Sequence, residues 1–200
     1  MVPSAGRTLQ VTAPAGPSPP GGGDRAPTTE SPMIAQQTLM QFDHIVAGCR
    51  ATLEAVPDDR LDWRPHERSW TLGELATHVA MLPNWTVATL TMSEFDVAPD
   101  GDGPPQNPEL KSSAALVAAL EQSAAAARET IEVTSDEVFA GTWTLKVAGE
   151  DRFSMPKAVV MRSFVLDHLI HHRAQLGVYL RLLDVPVPQM FGPTADYPDM

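Results

Sequence analysis

The sequence predicts an all-α protein: a four-helix bundle with a short β-hairpin between the third and fourth helices. Three observations carry that expectation. Apolar residues recur at spacings of three and four through four long segments. The chain does not alternate strand and helix patterns, as a parallel sheet would require. One short stretch, Trp143 to Val147, switches to a period of two. A chain of 200 residues fits one ordinary domain plus a tail. About 150 ordered residues can bury on the order of 70% of their unfolded surface, so a substantial core is available.

The first 32 residues hold seven of the 19 prolines and five of the 13 glycines. With few apolar residues to bury, this segment cannot offset the entropy of ordering itself, and residues 1–32 are expected as a flexible tail before a domain at 33–200. Helix one carries Leu39, Phe42, Val46, Cys49 and Leu53 on one stripe and stops before Pro57. An extended connector follows from Trp63 to Trp70, in which Trp63 and Trp70 are expected to pack across the end of the bundle. Thr71 and Glu74 form a capping box that opens helix two, whose stripe is Leu75, His78, Leu82 and Trp85. Residues 96–107 read as a loop. Helix three, Pro108–Val133, turns Leu116, Val117, Leu120, Ala124, Ala127 and Ile131 inward. Trp143, Leu145 and Val147 alternate before a turn at Gly149-Glu150-Asp151, as in a hairpin, and Phe153 follows it. Helix four starts at Pro156 and runs to about Leu183, with Met161, Val165, His168, His172, Leu176, Tyr179 and Leu183 inward.

Composition excludes several function classes. Fourteen basic against 25 acidic residues give a net charge of −11, whereas nucleic-acid binders display a basic patch or stripe. No stretch approaches the ~20 apolar residues of a membrane span, and no basic segment followed by an apolar one opens the chain as a secretory signal would. The expectation is a cytoplasmic protein without membrane or nucleic-acid partners. One cysteine, Cys49, makes neither an internal disulfide nor a thiolate zinc site, and it reads as a small core residue. The acidic loop Asp96, Asp100, Asp102 fails calcium-loop spacing, because Lys111 stands at the twelfth position from Asp100. Neither a Gly-rich phosphate cradle nor a GxSxG elbow is present.

The chemistry lies in the histidines. His168 and His172, four residues apart on helix four, share one face with Cβ atoms ~5–6 Å apart, within reach of a single ion. His78 lies on the inward stripe of helix two, and bundles build metal sites from side chains on facing helices. Burying three imidazoles without a common partner costs on the order of 1–3 kcal/mol each, which favours a shared ion over a metal-free, hydrogen-bonded core. Three neutral imidazoles leave the full 2+ charge and an open position, as in catalytic sites. Leu169 follows His168 where a zinc protease has glutamate, so the pair is no H-E-x-x-H motif.

At these residues the chain resembles the DinB family. Trp70-Thr-Leu-Gly-Glu-Leu-Ala-Thr-His78-Val-Ala resembles that family's second-helix motif. Asp167-His-Leu-Ile-His-His-Arg-Ala-Gln-Leu-Gly-Val-Tyr-Leu-Arg181 resembles its fourth-helix signature, and Asp184 to Asp196 its usual tail. The likeness spans about Ile34 to Asp196. It implies a DinB-like four-helix bundle, related to YfiT-type hydrolases and to bacillithiol or mycothiol transferases. It also implies a homodimer and a divalent metal held by His78, His168 and His172. The metal could be zinc, nickel, copper or iron, since imidazole accepts all four. Such an ion would lower the pKa of a water for hydrolysis, or stabilise a low-molecular-weight thiol for transfer to an electrophile. A non-catalytic metal-binding or ligand-sensing module is the alternative. Arg162, Arg173 and Arg181 share no single face of helix four, so no basic cluster for a charged thiol stands out.

Neighbouring residues leave further readings open. His171 is an alternative to His172 as ligand. Asp167 and Glu74 stand four residues before His171 and His78 and either orient an imidazole or serve the helix surface and the cap. Gln175 is a candidate hydrogen-bonding group in the pocket, and Trp85 and Tyr179 are expected on its border. His44 reads as a bundle-edge residue and His66 as an exposed one.

Overall fold

A computed structural model describes residues 33–103 and 107–199. The expected tail, 1–32, lies outside the described residues. Helix α1 (Met33–Glu54) buries Phe42, Ile45, Cys49 and Leu53, and its last turn closes where Val56 N donates to the Leu53 carbonyl, just before Pro57. A single 3₁₀ turn at Asp58–Arg60 starts the connector. Helix α2 (Leu72–Met81) opens on the expected capping box. The Thr71 hydroxyl accepts from Glu74 N at 3.1 Å, and the Glu74 carboxylate accepts from Thr71 N at 2.7 Å. Glu74 is thereby committed to the cap.

The expected second helix is two helices. Pro83 lacks an N–H and its ring crowds the preceding turn, so the chain breaks after Leu82 and restarts as α3 (Asn84–Thr91). Helix α4 (Ser113–Val133) starts later than Pro108, at Ser112, whose hydroxyl accepts from Ala115 N at 3.1 Å; a good cap decides the start. A short helix, α5 (Asp136–Ala140), is capped by Ser135.

The fold is not strictly all-α. The predicted hairpin exists as β2 (Thr142–Val147) antiparallel to β3 (Glu150–Pro156), with an irregularity at Leu145/Lys146. A third strand, β1 (Glu94–Asp96), pairs parallel to β2 and ends at Asp96, the first residue of the segment expected to be loop. Asp96 fixes this arrangement. Its carboxylate accepts from Ala98 N, Ala148 N and Gly149 N, tying β1 to the hairpin turn across 52 and 53 residues of sequence, and these amides hold its pKa down. Asp96, read from the sequence only as part of an acidic loop without calcium spacing, is therefore a structural knot. The turn itself needs Gly149, at φ 79°.

The last helix is continuous but irregular. Helix α6 (Lys157–Val160) runs through a π-helical segment (Met161–Leu166) into α7 (Asp167–Leu182). Met161 and Val165 are buried as expected, but beyond them the buried side is Leu166, Leu169, Arg173, Leu176, Gly177 and Leu180. The predicted inward positions His168 and His172 are half-buried instead. A π turn accommodates about one extra residue, so positions one later in sequence inherit the core-facing direction.

Helices α1 and α2 both pack on α4 and α7, and α3 packs on α4. Among the described residues, no helix is long and apolar enough to cross a membrane. Where α1 meets α7 the side chain between them is charged. Arg173 is 1% exposed; its Nη1 donates to the Ile45 carbonyl at 3.4 Å, and its guanidinium lies 4.9 Å from the Phe191 ring centre. Burial lowers its pKa. Gly48 makes room for it, since a Cβ there would collide with the guanidinium. Gly48→Ala is expected to lower stability by about 1–3 kcal/mol through overpacking, measured as a reduced urea midpoint at unchanged slope.

Candidate metal centre

The structure brings His78 of α2 together with His168 and His172 of α7. One ring nitrogen from each lies within 4.8 Å of the others. His78 and His168 are 90 residues apart, yet their Nε2 atoms are 3.4 Å apart, and the three ring centres are 4.6–5.1 Å from one another. Each imidazole is half-buried at the flank of the core, a place from which a small molecule can be reached. The expectation that His168 and His172 face the core interior is corrected by the register shift before α7, and His78 on α2 is likewise half-buried.

Two of the rings are oriented by neutral acceptors. His168 Nδ1 donates to the Phe164 carbonyl at 3.3 Å, and that carbonyl belongs to the π-helical segment. His172 Nδ1 donates to Gln175 Oε1 at 2.8 Å. Placing the proton on Nδ1 leaves Nε2 of each ring with a free lone pair, as second-shell acceptors do in metal sites. Burial, reinforced by the other two rings, pushes the His78 pKa down to about 4, and burial also lowers those of His168 and His172. All three are therefore neutral near pH 7, the state that ligation requires.

The donor set fits a divalent transition ion. Two nitrogens each ~2.0–2.1 Å from one tetrahedral ion are about 3.3–3.4 Å apart, and the His78–His168 nitrogens have that spacing. Three neutral nitrogen donors suit zinc, nickel, copper or iron and do not suit calcium or magnesium. His171 is exposed, and the metal-ligand grouping consists of the other three. Asp167 pairs with Arg162 rather than with an imidazole. His44 and His66 lie outside the cluster: His44 packs against Phe191, and His66 accepts from Arg68 N. Cys49 is fully buried near Arg173, but burial dominates and pushes its thiol up to about 12.

Trp70 is the site residue that sequence reasoning misplaced. Its ring stacks on His172 at 5.6 Å and meets His78 edge-on at 5.0 Å. Tyr179 does not line the cluster; its hydroxyl donates to the Trp70 carbonyl, and its ring meets Trp63 edge-on. The connector is thus pinned to α7 with Trp70 laid over the imidazoles. The available signal was adjacency: Trp70 precedes the cap of the helix that carries His78.

The DinB superfamily profile matches residues 41–176, which is more than half of the chain and includes all three histidines. The chain belongs to the DinB superfamily. Its fold is similar to that of a DinB-like protein from Bacillus cereus ATCC 10987, with a TM-score of 0.61 and 18% identity over 78% of this chain and 97% of that one. It is also similar to a DinB-like protein from Bacillus subtilis, with a TM-score of 0.59 and 17% identity over 77% and 96%. No curated protein sequence matches the chain.

Plasma mass spectrometry on tag-free protein loaded with zinc or nickel is expected to find close to one equivalent of metal. His168→Ala is expected to lose it and His171→Ala to keep it. Retention by His168→Ala would show that the cluster is not the ligand set.

Proposed function

We propose that this protein is a divalent-metal-dependent enzyme acting on a small molecule, either by hydrolysis or by transfer of a low-molecular-weight thiol to an electrophile. The observation that carries the reading is the convergence of three imidazoles, through a pair of nitrogens 3.4 Å apart, at a half-exposed place on the bundle. His78, His168 and His172 would hold the ion. A zinc, nickel or iron ion there supplies Lewis acidity, favouring the anion of a water or a thiol at neutral pH.

The chain's own residues do the rest. The Phe164 carbonyl and Gln175 hold the protons of His168 and His172 on Nδ1, so both rings present Nε2 inward. Trp70 screens one side of the rings from bulk water, which strengthens the field felt by an anion there. Among the described residues, no carboxylate hydrogen-bonds to any of the three imidazoles, so they leave the charge of a bound cation uncompensated.

The test is turnover of 1-chloro-2,4-dinitrobenzene with a simple thiol, and of nitrophenyl esters, by metal-loaded protein. One activity is expected to fall about a hundredfold or more on chelation and in His168→Ala, and to return to the wild type with zinc or nickel. Turnover indifferent to chelation would overturn the reading. Tight metal binding without turnover of either substrate type would point to a binding module.

A further inference from the structure

A second feature adjoins the histidines. A pocket of about 60 Å³ is walled by Trp85, Trp143, Leu145, Phe153 and Phe164, and by His168. His168 is the one titratable side chain in that wall among the described residues, and it is also a member of the three-histidine cluster. Resting on the three-histidine reading, we infer that the small molecule carries a compact apolar group that seats in this pocket while its reacting end meets the cluster.

The pocket is preformed. Trp143 is 1% exposed, and its Nε1 donates to the Ala88 carbonyl at 3.2 Å, so the indole cannot swing in to fill the space. Trp85 braces it edge-on at 6.4 Å. On the opposite wall Phe153 of β3 stacks on Phe164 of the π-helical segment, with ring centres 4.7 Å apart and planes within 19°. The hairpin and the irregular helix therefore hold the two sides apart. A water needs two to four polar partners to be stable in a cavity, and these walls do not provide them, whereas an apolar group gains contact on every side. A cavity that takes benzene is ~150 Å³, so about 60 Å³ suits a short alkyl group of two or three carbons rather than a whole ring. One imidazole ring separates that space from the nitrogen cluster, so tail and reacting group belong to one compact molecule.

Three probes separate the two halves of the site. Xenon carries only the apolar contact, acetohydroxamate only a metal-directed head, and isobutyrohydroxamate a head with a short branched alkyl group. Xenon NMR shifts are expected to show binding to wild-type protein with or without zinc. Calorimetry on zinc-loaded protein is expected to find isobutyrohydroxamate about tenfold tighter than acetohydroxamate. Leu145 is half-buried on β2, so Leu145→Trp fills the pocket from its edge. That variant is expected to abolish xenon binding and the isobutyrohydroxamate advantage while leaving acetohydroxamate affinity unchanged. Absence of xenon binding, or equal affinities for the two hydroxamates in the wild type, would overturn the inference; both are read on wild-type protein and do not depend on the variant folding. Xenon binding with no acetohydroxamate binding would instead overturn the metal reading and, with it, the pocket's assignment to that substrate.

Discussion

The π-helical segment at Met161–Leu166 sets the register on which both the core and the histidine cluster depend. In an unbroken α-helix that buries Met161 and Val165, each residue turns by about 100°, which carries His168 and His172 into the middle of the buried stripe. One extra residue in the turn rotates everything after it. Leu169, Arg173, Leu176 and Leu180 then take the core, and the histidines emerge on the flank that faces α2. The same irregularity supplies the Phe164 carbonyl to His168 Nδ1, and it places the Phe164 ring against the hairpin. A break in helix geometry thus connects packing, imidazole orientation and the apolar pocket, in keeping with the frequent use of π turns at functional sites.

The motif His171-His172-Arg173-x-Gln175 resolves into distinct physical roles. His172 joins the cluster and Gln175 holds its proton. Arg173 points the opposite way, into the contact between α1 and α7, where it meets the Ile45 carbonyl, the Phe191 ring and the space left by Gly48. A buried guanidinium with its Nε unpartnered stabilises little by itself. Its geometric demands do fix how closely α1 can approach α7, and so where the α7 histidines sit. Metal chemistry and helix packing are therefore written in the same short stretch.

The site is finished by parts of the chain remote in sequence. The connector lays Trp70 over the rings, while Tyr179 and Trp63 hold that connector in place. On the other side, Asp96 binds the backbone of the β2–β3 turn and so steadies the sheet that carries Trp143 and Phe153. Lys157, also buried, donates to the Leu90 carbonyl at the end of α3 and joins the start of the last helix to the same region. Neither side of the pocket is built from one segment alone.

The sequence by itself determined the features that follow from local periodicity and capping. These are the helical character, the cap at Thr71 and Glu74, the hairpin, the end of α1 before Pro57, and His168 and His172 as a pair able to share an ion. Each rests on spacing within a few residues, where backbone geometry is nearly independent of the rest of the chain. Only the tertiary structure decided the third strand, the register change before α7, the meeting of His78 with His172 rather than His171, and the burial of Arg173. These depend on contacts across tens of residues. The Asp96 carboxylate finds its amides 52 and 53 positions away, and His78 meets His168 across 90. A helical stripe drawn at 100° per residue cannot anticipate a π turn, because that turn is stabilised by what packs against it and not by the residues within it.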